Sequence, residues 1–118
     1  MSEIHHLFDN EYGIAFRWKH CGPKEYKKIQ LVFNNIGFSL TSRNFTKFLK
    51  NIKTSLAFPP ICDTCDDHED CKSYLLETPS SMISLAVSYM ELKKLEELLE
   101  GAQFQIEMDN MLGTDVID

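Results

Sequence analysis

From Tyr12 the chain alternates, with Ile14, Phe16 and Trp18 separated by Ala15 and Arg17. This is the period of two expected of a half-buried strand rich in aromatic residues. Cys21-Gly22-Pro23 interrupts it. Ile29, Leu31 and Phe33 repeat the pattern and lead through Asn34-Asn35 into Ile36, Phe38 and Leu40. A short Asn-rich link between two alternating runs predicts a hairpin. Past Leu40 the period lengthens, and Phe45, Phe48, Leu49, Ile52 and Leu56 share one helical face, with Thr41 or Ser42 placed to cap the first exposed amides. Pro59-Pro60 ends that helix.

After an acidic, cysteine-rich stretch over residues 61–71, Tyr74-Leu75-Leu76 reads as a strand. Thr78 to Ser81 reads as a turn and Met82 to Val87 as a second strand. Ser88-Tyr89-Met90-Glu91 has the spacing of a capping box, and Leu92, Leu95 and Leu99 continue as an apolar helical stripe that Gly101 is placed to end. Phe104, Ile106 and Met108 alternate with Gln105 and Glu107, which predicts a short final strand, a continued helix being the alternative.

The two hairpin-helix stretches align at a separation of about 45 residues. Lys28 to Val32 matches Lys72 to Leu76, and Phe45, Phe48 and Ile52 parallel Leu92, Leu95 and Leu99. One reading is an internal pseudo-repeat; the other is that any two hairpin-helix segments look alike at this level. The expected fold is α+β, with an antiparallel sheet and both helices packed on one face, which buries the apolar stripe of each helix. A cysteine-rich metal-binding loop is added to it.

At 118 residues the chain fits one domain, 1–118, with flexible ends over about residues 1–9 and 109–118. No stretch approaches the roughly 20 apolar residues of a membrane span, and the first residues lack a basic segment and an apolar signal core, so the expected location is cytoplasmic with no membrane partner. The net charge of −6 opposes nonspecific nucleic-acid binding, but it is unevenly distributed. Residues 1–58 hold nine Lys/Arg against four Asp/Glu, and residues 59–118 three against fourteen. Attraction between the halves inside one fold is the simpler account, and presentation of each half to a partner is the other. Arg43, Lys47 and Lys50 line up on the polar side of the first predicted helix, a stripe read as solvent-facing.

The chemistry-bearing cluster is Cys62-Asp63-Thr64-Cys65, followed by Cys71, with Cys21 far upstream. In a reducing compartment closely spaced thiols read first as metal ligands. Two cysteines separated by two residues suit a knuckle whose sulfurs converge on one ion, and tetrahedral zinc closed by four thiolates takes its remaining ligands from Cys71 and Cys21. His20 and His68 are alternates for the fourth position. An iron-sulfur cluster also uses four thiolates, but the ferredoxin spacings are absent. Redox cycling of Cys62 and Cys65 is disfavoured by Asp63, Asp66, Asp67, Glu69 and Asp70, because nearby negative charge suppresses the thiolate. A further reading makes Cys21 a small buried apolar residue and the loop thiols incidental. The acids lack the order of an EF-hand loop, and no nucleophile motif accompanies the Cys, Ser and His residues. His5-His6 is read as part of a mobile end.

The His20-Cys21 step, the strand end Leu31-Val32-Phe33-Asn34-Asn35 and the cysteine loop resemble one of the small uncharacterised protein families of Bacteroidetes-type bacteria, over residues 10–100. The resemblance implies a bacterial cytoplasmic protein and carries no substrate. The expected function is a non-enzymatic binding or adaptor module with a structural zinc. A thiol redox or iron-sulfur protein using the same cysteines is the first alternative. Nucleic-acid contact through Arg43, Lys47, Lys50 and Lys53 is the second.

Overall fold

A computed structural model describes residues 4–18, 28–57 and 74–112. Their order is β1 (Ile4–Asp9), β2 (Gly13–Trp18), β3 (Ile29–Phe33), β4 (Ile36–Leu40), α1 (Ser42–Ala57), β5 (Tyr74–Glu77), β6 (Ser84–Val87) and α2 (Tyr89–Leu112). The fold is α+β: β1 to β4 form an antiparallel meander, and the two helices pack against one of its faces.

Alternation in β2 and β3 becomes register. Ala15 stands opposite Leu31 and Ile29 opposite Leu40, so these side chains share the helix-facing side. Asn34 and Asn35 adopt φ of 50° and 65°, the left-handed pair a two-residue hairpin requires and asparagine tolerates. Phe38 reaches Phe48 of α1 at a centroid distance of 5.5 Å. Phe48, Ile52, Leu95 and Leu98 are fully buried, each contributing about 1.5–3 kcal/mol by leaving water. Both helix starts are capped as the sequence predicts. The Asn44 amide donates to Thr41 Oγ1 at 3.1 Å, while Ser88 and Glu91 exchange side-chain-to-amide hydrogen bonds of 2.9 and 3.1 Å.

Three expectations are corrected. Residues 4–9, read as a loose end, form β1, which pairs with β2 through a bulge between His6 and Phe8. The bulge lets adjacent Leu7 and Phe8 both meet the core, where strict alternation would turn one of them to solvent. The short final strand over 104–108 is absent, and α2 continues through Gly101 to Leu112. A Cβ on Gly101 would lie 2.5 Å from the Phe8 ring, so this glycine serves close helix-strand contact instead of helix termination. Finally, β5 and β6 pair in a two-stranded sheet of their own rather than joining β1–β4. Two hairpin-helix units are present, β3-β4-α1 and β5-β6-α2. The β5–β6 unit packs against α1 through the Asn51 side-chain amide, which donates to the Glu77 carbonyl at 2.9 Å.

Candidate functional site

All six sequence-predicted ligands, Cys21, Cys62, Cys65, Cys71, His20 and His68, lie outside the described residues. What the structure does fix is where their flanks stand. Trp18, three residues before Cys21, pairs with Ile4 at the end of the sheet where Leu40 leads into α1. Ala57 closes α1 at its other end. Leu75 shares a cleft with Thr54 and Ser55 of the last turns of α1, so Ala57 and Tyr74, the described residues on either side of 58–73, both stand at that opposite end. Among the described residues no three His, Cys, Asp or Glu side chains come together as a metal site.

The structure brings together a polar cluster that the sequence reading missed. His5 Nε2 lies 2.8 Å from Asp109 Oδ2, and Gln105 Nε2 donates to Asp109 Oδ1 at 2.9 Å. Arg17, 5% exposed, is the cross-strand neighbour of His5 on the same side of the sheet. Asp109 itself is 6% exposed, and a buried carboxylate is stable only with hydrogen-bonding or charged partners. The available signal was the spacing of Gln105 and Asp109, four apart on one helical face. It was obscured because 104–108 also alternates. His6 is held by Asp9 at 2.8 Å.

Tyr12 closes the opposite end of the sheet. Its ring stacks on Phe33 at 5.5 Å, and its hydroxyl accepts from Asn34 Nδ2 at 2.7 Å. Burial, reinforced by the negative charge of Glu91 and opposed by the Asn34 hydrogen bond, pushes its pKa up to about 12. The phenol is therefore neutral at physiological pH. Asn10 secures the neighbouring turn, accepting from the Tyr12 and Gly13 amides and donating to the Lys94 carbonyl of α2.

Charge on the helices is partly reconciled within the fold. Lys53 of α1 pairs with Glu100 and, at 3.3 Å, with Glu96 of α2, and Glu100 in particular holds the ammonium above its ordinary pKa. Arg43, Lys47 and Lys50 stay exposed, and among the described residues no carboxylate pairs with them. A cleft of about 560 Å³ is an open groove between Phe8 and the first half of α2, lined by lysines and glutamates. Among the described residues no helix is long and apolar enough to cross a membrane.

Comparison with family models, curated proteins and solved structures finds no match to this chain.

Proposed function

We propose that this chain is a zinc-binding, non-enzymatic binding module of the cytoplasm, with Cys62, Cys65, Cys71 and Cys21 as the ligands and His20 or His68 as substitutes for the fourth. The observation that carries the reading is three thiols within ten residues, in the segment that joins the end of α1 to β5. Soft thiolates at a two-residue spacing suit zinc, and a four-thiolate set leaves no open position for substrate. Both flanks of that segment are anchored: Leu56 packs on the core and Tyr74 is buried in it. A metal ion held by the intervening thiols would restrict residues 58–73 further and add binding free energy to folding. A bacterial origin follows only from the family resemblance.

The test is elemental analysis of protein purified without affinity tags or chelators, with reactive thiols counted before and after chelation. About one zinc per chain, with thiols that react only after chelation, is the expected result. Metal-free protein with freely reactive thiols would remove the zinc reading and favour thiol redox chemistry or incidental cysteines.

A further inference from the structure

The outer surface of the two-helix layer carries opposite charges in two parallel rows. At about 100° per residue, the exposed Arg43, Lys47 and Lys50 lie opposite the buried stripe of Phe45, Phe48 and Ile52, so they point away from the sheet. On α2 the same arithmetic sends Glu100, Phe104 and Glu107 outward, followed by Met111. Phe104 is 63% and Met111 81% exposed, which is unusual for large apolar side chains on one helix face. Residues 28–57 hold five cations and no acid, while residues 74–112 hold seven acids and two cations.

The helices run antiparallel and their levels are fixed by contact. Lys53 meets Glu100, Leu49 and Phe104 line one cleft, and Thr46 and Glu107 line the next. A half-turn about an axis parallel to the helices and midway between them lays the α1 of a second copy over the α2 of the first without changing level. Lys47 of the second copy then stands within one residue of Glu107, and Lys50 of the second copy stands beside Phe104, where an ammonium can lie over the ring. The symmetry repeats both contacts.

We propose that the helix layer is a self-complementary surface whose partner is a second copy of this chain. Charge complementarity selects that occupant: Arg43, Lys47 and Lys50 pair with no acid among the described residues, and Glu107 with the exposed Phe104 and Met111 lies at their levels on α2. A polyanion would also meet the cation row, but it would have to approach alongside Glu100 and Glu107. The face measures about 24 Å by about 20 Å, from a 16-residue helix and two helix diameters. This is small beside the roughly 800 Å² per partner of a standard interface, so the dimer is weak and sensitive to salt.

The experiment is sedimentation equilibrium of the full chain at about 10–500 µM, in about 50 and 500 mM salt. Wild type is expected to dimerise at low salt and to dissociate at high salt. Lys47→Glu with Lys50→Glu, and separately Glu107→Lys, should each weaken self-association at least tenfold, with unchanged circular dichroism. An equimolar mixture of the two variants should form a one-to-one dimer, because both contacts regain opposite charges. A wild type that is monomeric throughout, a dimer indifferent to both reversals, or a mixture that stays monomeric would overturn the proposal. So would a monomer that binds a labelled single-stranded oligonucleotide through Lys47 and Lys50.

Discussion

Phe8 of the first strand and Gly101 of the last helix meet so closely that the helix has no room for a methyl group at that point: a Cβ there would sit 2.5 Å from the ring. Two effects oppose each other in Gly101→Ala. Alanine gains about 1 kcal/mol in helix propensity, but the ring or the helix must shift, at a cost of about 1–3 kcal/mol. Net destabilisation is expected in urea unfolding. In a Phe8→Ala background the clash is gone, and the same substitution should become stabilising by up to about 1 kcal/mol. A penalty of equal size in both backgrounds would show that Phe8 is not its cause.

Asp109 is the acceptor for both His5 and Gln105. Asp109→Ala leaves those donors without it at a poorly hydrated place and is expected to lower stability by about 1–3 kcal/mol. Asp109→Asn, which keeps one oxygen, should cost less. Chemical denaturation of the two variants checks the order, and equal, near-zero losses would mean the cluster is solvated rather than structural.

Tyr12 supplies a prediction in alkali. Its pKa is near 12 when folded against an ordinary 10.0, so the folded state holds this proton more tightly than the unfolded chain. Stability from this group is fully present below pH 10 and declines as pH rises towards 12. Ultraviolet titration should show a phenolate step near pH 12 that is missing in Tyr12→Phe, and thermal melts of that variant should depend less on pH in the same window. A Tyr12 step at the ordinary position would contradict the burial argument.

The zinc reading makes separable predictions for two cysteines. Cys65→Ser should lose the metal and melt at a markedly lower temperature. Cys21 follows Trp18 by three residues in the sequence, and Trp18 stands at the sheet end where Leu40 leads into α1, away from Ala57 and Tyr74. If four thiolates share the ion, Cys21→Ser also loses or weakens the metal. If it retains full zinc while Cys65→Ser does not, the fourth ligand is His20, His68 or another donor.

Elements specified by local pattern were legible in the sequence: the alternating β2, the Asn34-Asn35 hairpin, the Phe45–Ile52 stripe of α1 and the Ser88/Glu91 cap. Those specified by tertiary contact were not. β1 escaped because its bulge sets Leu7 and Phe8 side by side, which erases the period of two, and because His5 and His6 gave it a polar look. The length of α2 escaped because Gly101 reads as a stop unless the Phe8 ring above it is known. The alternation of Phe104, Ile106 and Met108 imitated a strand, although Ile106 packs on the core while Phe104 faces solvent. For the site, the cysteine spacing proposes a ligand set that lies outside the described residues, whereas the His5–Asp109 pair joins residues 104 positions apart and leaves no local trace.

That separation has a consequence for how the fold assembles. β1, the first described strand, is covered by α2, the last described helix. A contact between elements so far apart closes a large loop, which slows folding, and removing either β1 or the second half of α2 dismantles the same interface.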